Sequence, residues 1–240
     1  MSLVKEVSRK KEFSGLPDSI VKRALDLSGG DVKAARALLR KYFGVFLTNR
    51  VLKGSGDLLG MHMSSKKRDY EKFYGEVFSE IENVGTVIDL GCGVNWLSYE
   101  WLPEGVSYIG IEAVGQLVKL GNDYFKERGL DNKIVWMDLF DVGGVVGLLK
   151  EAKRPRVVFM LQVVDAMEGL ERDFSKRFIL EVAKECDWIV LSFSMESLGG
   201  RKKFVAQRKW MMDFLVKNFL TKKTLVSRGE KIIILKNKKI

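Results

Sequence analysis

Between residues 86 and 220 the chain repeats one pattern five times: a short, unbroken apolar run followed by a stretch with helical spacing. The runs are Thr86–Leu90, Tyr108–Ile111, Lys133–Met137, Val157–Leu161 and Trp188–Phe193, and the helical stretches fall near 96–102, 114–128, 141–151, 168–185 and 201–220. A strand that is apolar throughout must be covered on both faces. Alternation with helices then implies a parallel sheet whose crossovers lie on those faces. The end of the chain breaks the rhythm. Lys222–Arg228 and Lys231–Leu235 flank a tight Arg228-Gly229-Glu230 turn. That spacing suits a hairpin, so the last strand runs antiparallel to the others.

The chain ahead of the sheet reads differently. Leu16, Ile20, Val21, Ala24, Leu25 and Leu27 keep helical spacing, with Pro17 at a first helical position. Ser28-Gly29-Gly30 breaks that helix, and Asp31 can cap a second one carrying Val32, Ala35, Leu38 and Leu39. Its other face shows Lys33, Arg36, Arg40 and Lys41, either a solvated stripe or a phosphate-binding surface. Gly54-Ser55-Gly56 reads as a hinge, and a third helix near 64–82 places Tyr70, Phe73, Tyr74, Val77, Phe78 and Ile81 on one side. These features predict a small, basic helical region over 1–60 and a sheet domain over 61–240.

Charge narrows the partners. Residues 1–75 carry 16 Lys and Arg against 8 Asp and Glu, residues 76–193 carry 12 against 20, and residues 194–240 carry 13 against 3. Basic ends around an acidic middle point to a polyanion docking on the ends. The competing reading is a Lys/Glu-rich surface of a heat-adapted protein. No apolar run approaches the roughly 18 residues that cross a bilayer, and the N-terminus has no signal-peptide core. Two cysteines and the single His62 cannot build a zinc site or a disulfide framework. The expectation is a cytoplasmic monomer with no metal and no membrane partner.

The chemistry concentrates after the first strand, in Val87-Ile88-Asp89-Leu90-Gly91-Cys92-Gly93. Gly91 and Gly93 let the backbone approach a ligand where a Cβ would collide. Ligands of open α/β sheets sit outside the carboxyl ends of the strands. Glu112, which ends the second strand 19 residues beyond Gly93, can accept both ribose hydroxyls of a nucleoside cofactor. A dinucleotide site would want a third glycine at position 96, which is Trp96. Asp89 at the start of the turn and the terminal hairpin favour S-adenosylmethionine instead, which has no pyrophosphate to seat. Asp138, after the third strand, is placed for the adenine amino group, with capping as the alternative role for it and Asp89. Cys92 and Cys186 read as small buried fillers. The whole pattern is that of a class I S-adenosylmethionine-dependent methyltransferase, a Rossmann-like seven-stranded sheet behind a small helical N-terminal region.

Four segments carry a closer likeness. Met61-His62-Met63-Ser64-Ser65-Lys66-Lys67-Arg68, Asp89-Leu90-Gly91-Cys92-Gly93-Val94-Asn95-Trp96-Leu97, Met160-Leu161-Gln162-Val163-Val164-Asp165-Ala166-Met167-Glu168 and Ser192-Phe193-Ser194-Met195-Glu196-Ser197-Leu198-Gly199-Gly200-Arg201-Lys202 stand in order along the core. They resemble, in turn, the His-x-Ser-Thr-x-Glu-Arg, Asp-x-x-Cys-Gly-x-Asn-Pro-Leu, Leu-Leu-Lys-Leu-Leu-Pro-x-x-Glu and Ser-Phe-Pro-Thr-Lys-Ser-Leu-Gly-Gly-Arg stretches of the aminoglycoside-resistance 16S ribosomal RNA (guanine-N7) methyltransferases. Trp96 stands where the family has Pro, Gln162 where it has Lys, and Ser194-Met195 where it has Pro-Thr. The resemblance implies S-adenosylmethionine as cofactor and ribosomal RNA or the small ribosomal subunit as partner. It also implies a cofactor site built from Asp89, Gly91, Cys92, Gly93, Asn95, Glu112, Ala113, Asp138, Leu139 and Gln162.

The acceptor atom follows from what the chain lacks. Guanine N7 has a free lone pair and needs no general base. Exocyclic amines often meet an Asn/Asp-Pro-Pro-aromatic motif after the fourth strand, where this chain reads Leu161-Gln162-Val163-Val164. Pyrimidine carbon-5 attack needs a cysteine, and Cys186 precedes its strand. A ring nitrogen fits best. An exocyclic amine on ribosomal or transfer RNA stays open, because Gln162 could orient one; so do a protein substrate and an inactive RNA-binding protein. Gln162 and Trp96 are the expected residues at the methyl donor, with Trp96 stacking on a base or sitting in the core. Lys66, Lys67, Arg68, Arg201, Lys202 and Lys203, with Arg36 and Arg40, are the expected RNA contacts.

Overall fold

The computed structural model describes residues 2–44, 48, 51, 57–61, 68–195 and 208–238. Seven strands form one sheet in the order β3-β2-β1-β4-β5-β7-β6: β1 Thr86–Leu90, β2 Ser107–Glu112, β3 Lys133–Trp136, β4 Arg156–Leu161, β5 Trp188–Ser194, β6 Phe219–Ser227 and β7 Glu230–Asn237. The first five are parallel and β7 alone runs against its neighbours. The fold class expected from the sequence is therefore the one observed.

Side chains of the central strands alternate between two cores, as the pleat requires. Val87, Tyr108, Val157, Phe159, Val190 and Ile232 join one buried cluster. Ile88, Leu90, Ile111, Val158, Met160 and Leu191 join the other. The N-terminal helices α1 (Leu3–Ser8), α2 (Asp18–Leu27) and α3 (Val32–Phe43) pack into the first cluster, so they share a core with the sheet. The short α4 (Leu58–Met61) and the aromatic α5 (Tyr70–Phe78) complete that side. Asp31 caps α3 by accepting the Ala34 amide at 2.9 Å, while Pro17 is the residue before α2 rather than its first. Asp69 accepts the Lys72 amide and starts α5 at Tyr70.

After β1 the chain makes a 3₁₀ turn, Asn95–Trp101; α6 (Gly115–Glu127), α7 (Val142–Glu151) and α10 (Lys209–Asn218) follow β2, β3 and β5. The single helix expected near 168–185 is two, α8 (Val164–Leu170) and α9 (Phe174–Ala183). The Glu168 carboxylate explains the break. It accepts the amides of Asp173 and Ser175, both at 2.8 Å, and so caps α9 from within α8. The expected hinge at Gly54-Ser55-Gly56 and the boundary at 60–61 fall on or beside positions outside the described residues. No helix among the described residues is long and apolar enough to cross a membrane.

Candidate active site

A cavity of about 280 Å³ opens at the carboxyl ends of β1, β2, β3 and β4. Gly91, Glu112, Ala113, Asp138, Leu139 and Gln162 line it. Gly91 is at φ +71°, and a Cβ there would lie 2.8 Å from Val163 Cγ2, so only glycine closes this bend. Glu112 is buried, with one oxygen accepting the Gly93 amide and the other the Val114 amide, each at 2.8 Å. Burial raises its pKa against those backbone donors. Each oxygen keeps a second lone pair, and Glu112 lines the cavity. Asp138 accepts the Phe140 amide at 2.9 Å and the Ser19 hydroxyl at 2.6 Å.

Four of the sequence-expected cofactor residues stand behind this lining. Asp89 is fully buried and accepts from Asn95 Nδ2 at 2.7 Å and from the Tyr108 hydroxyl at 3.0 Å. Gly93 (φ +52°) turns its amide to Glu112, and Cys92 packs beneath Gly110. Their part in the geometry is to hold the loop. Burial pushes the Asp89 carboxyl up to about 6, against the hydrogen bonds and the Arg68 charge that pull it down. A carboxyl raised from 3.8 costs the fold stability above pH 6, and that cost disappears below 3.8. On roughly two units this is about 3 kcal/mol. Asp89→Asn, which carries no such cost, is expected to gain on the wild type as pH rises from 4 to 7. Urea unfolding across that range should show the gap between the two widen by about 2–3 kcal/mol; parallel profiles would contradict the role.

Two expectations are corrected. Trp96, expected at the methyl donor, is 2% exposed and packs against Tyr124 and Phe125, with Gly121 leaving room for its ring. The residue after Asn95 falls on the inner side of the 3₁₀ turn, away from the cavity. Arg68, expected on RNA, is an interior residue with a side chain 5% exposed. It grips the Glu230 carboxylate through Nη2 (2.6 Å) and Nε (3.1 Å) and donates Nη1 to Asn95 Oδ1 (3.2 Å). Glu230 also accepts from Ser192 Oγ (2.5 Å) and Gln162 Nε2 (3.1 Å). Burial opposes its charge, yet Arg68 and these donors hold its pKa below the ordinary value. Gln162 itself sits at φ +58° at the tip of β4, its backbone N–H donating to the Ser192 carbonyl. Arg36 and Arg40 have internal partners, the Glu6 carbonyl and the Glu12 carboxylate. His62, Lys66, Lys67, Arg201, Lys202 and Lys203 lie outside the described residues.

Sequence reasoning missed Glu230, Ser19 and the N-terminal wall of the cavity, formed by Ile20, Lys41, Tyr42 and Phe43. A signal for Glu230 existed: it is one of only three acids among the last 47 residues and sits on the hairpin turn. Nothing local marks Ser19. Among the described residues no group of three or more His, Cys, Asp or Glu is placed to hold a metal.

The chain has relatives among known proteins. The model of a family described as ribosomal RNA methyltransferase (FmrO) matches residues 14–215. A 16S rRNA (guanine(1405)-N(7))-methyltransferase of Frankia casuarinae is 25% identical over 240 aligned residues, covering 84% of this chain and 80% of the relative. Its namesake in Micromonospora rosea is 24% identical over 153 residues, covering 62% and 53%. The chain thus spans between about half and four-fifths of the length of these relatives. Among solved structures, the 16S rRNA methylase RmtB superposes with a TM-score of 0.77 at 20% identity, covering 98% of this chain and 97% of that one. The methyltransferase RmtF in complex with S-adenosyl-L-homocysteine gives 0.76 at 16% identity, covering 98% and 96%. At these identities the structural likeness is one of fold.

Proposed function

The chain belongs to the FmrO family of ribosomal RNA methyltransferases, and on that premise we propose that it transfers a methyl group from S-adenosylmethionine to guanine N7 in small-subunit ribosomal RNA. The observation that carries the reading is the cavity at the strand tips, with the glycine bend at Gly91 and the buried carboxylates of Glu112 and Asp138 on one wall. The residues fit the cofactor: Gly91 lines the cavity with backbone alone, Glu112 suits the ribose hydroxyls, and Asp138 suits the adenine amine. When bound, S-adenosylmethionine supplies an activated methyl group.

What the chain must do is hold and orient. Alignment supplies much of the acceleration in such a displacement. N7 needs no base, and Gln162, held by Ser192 and Glu230, is the residue we assign beside the target base. Lys41, Lys72 and Arg228 line the same cavity. Among the described residues Lys72 and Arg228 make long, exposed ion pairs, with Glu76 (3.8 Å) and Asp69 (3.7 Å), which are worth little in water. They can turn to phosphates, joined by Lys66, Lys67 and Arg201–Lys203. The small subunit is the proposed partner and the cytoplasm the proposed compartment.

The test is incubation with bacterial small subunits and labelled S-adenosylmethionine, followed by borohydride reduction and aniline cleavage, which cuts at 7-methylguanine. The expected result is one labelled, cleavable guanine. Label recovered on an exocyclic amine would move the reaction to another atom. Binding of RNA with no transfer to subunit, ribosomal RNA or transfer RNA would leave a non-catalytic protein.

A further inference from the structure

The N-terminal stretch from Gly15 to Arg23 is bonded to both strand tips that bracket the adenosine end of the cavity. The Gly15 carbonyl accepts the Gly115 amide at 2.9 Å, three residues past Glu112. It also accepts Trp136 Nε1 at 3.1 Å from the end of β3. Ser19 donates its hydroxyl to Asp138 Oδ2 at 2.6 Å. Arg23 lies 4.0 Å over the ring of Phe140 and pairs with Glu171. A Cβ at Gly15 would overlap the Gln116 side chain. From the same helical region Ile20, Lys41, Tyr42 and Phe43 line the cavity.

We propose that this stretch is the working wall of the adenine subsite and that Ser19 is a positioning residue, holding Asp138 in the orientation that accepts the adenine amino group. The proposal rests on the cofactor reading above. Asp138 is buried, with one oxygen tied to the Phe140 amide by its own local turn. A carboxylate held at one oxygen can still rotate about its Cβ–Cγ bond. The Ser19 hydroxyl fixes the second oxygen, which leaves that oxygen's remaining lone pair in one direction. A carboxylate so fixed attracts an amino group and repels a carbonyl. Hypoxanthine carries a carbonyl in place of that amine and a proton on the neighbouring N1, so it sets an acceptor where adenine sets a donor. The helical region, expected from the sequence to serve RNA, thus has a duty to the cofactor as well.

Calorimetry on the full chain with two ligands tests this: S-adenosylhomocysteine and S-inosylhomocysteine, in which a carbonyl replaces the amine. The wild type should prefer the adenosyl ligand by about ten- to a hundredfold, the worth of one hydrogen bond to a charged acceptor. Ser19→Ala should reduce that preference by about three- to tenfold, chiefly by weakening the adenosyl ligand, and Ser19→Thr, which keeps the hydroxyl, should retain it. An unchanged preference in Ser19→Ala would overturn the proposal. So would equal weakening of both ligands, which marks a merely structural contact. A wild type that binds neither ligand would overturn the cofactor reading and this inference with it; a wild type that binds the adenosyl ligand without preference would overturn the role of Asp138 and Ser19 alone.

Discussion

Glu230→Leu is expected to lower stability by about 3–5 kcal/mol, because it strands the Arg68 guanidinium in the interior. The Arg68 side chain is 5% exposed and its two strongest bonds go to Glu230. Among the described residues its remaining acceptor is Asn95 Oδ1, which is neutral. For a chain of this length that loss lowers Tm by roughly 10 °C. The double variant Arg68→Met with Glu230→Leu removes both charges and should recover most of the loss, since a buried pair is often no better than apolar residues of similar volume. Thermal unfolding of the two single variants and the double gives the coupling. Additive effects would mean the pair is not the unit that matters. The same bonds hold Gln162, so the double variant should regain stability without regaining full methyl transfer. The pH dependence has the opposite sign to that of Asp89. Glu230 has a depressed pKa, so its contribution is present above the unfolded value and is lost as the pH falls.

Glu112→Gln is expected to weaken S-adenosylhomocysteine binding by about a hundredfold or more. Hydrogen bonds to a charged carboxylate are worth about 1.5–3 kcal/mol each, and two ribose hydroxyls would lose theirs. The loop would suffer too. Both oxygens already accept backbone amides, from Gly93 and Val114. A glutamine must turn its NH₂ against one of those N–H groups, whichever way the amide is set. Calorimetry on the variant, with circular dichroism to show that the fold persists, checks the expectation. A change of less than threefold would remove Glu112 from the cofactor site.

Much of this fold is legible in the sequence. β1 runs from Thr86 to Leu90 as expected, and the other parallel strands begin or end within two residues of the apolar runs. Each central strand is recognised by its own consecutive residues, which must be apolar to lie between two cores. Gly91 and Glu112 were legible for a related reason, since a strand tip and the turn after it are neighbours in sequence. The helix expected over 168–185 was wrong because Glu168 reaches forward to cap a second helix, a choice that apolar spacing does not encode. Trp96 was misplaced because its side of the turn depends on what waits there, Tyr124, Phe125 and the space over Gly121.

The positions of the strands along the chain, the glycine bend and the acid at the tip of β2 are properties of short stretches, and the amino-acid sequence alone determined them. Which charge meets which was decided only by the folded chain. Arg68 and Glu230 are 162 residues apart, and Ser19 and Asp138 are 119 apart. Pairings at such separation carry no local pattern. They exist because the sheet brings β7 beside β5 and the first cluster draws α2 across the tips of β2 and β3. Burial then selects the partner, since a charge removed from water must find its opposite or a hydrogen bond within reach.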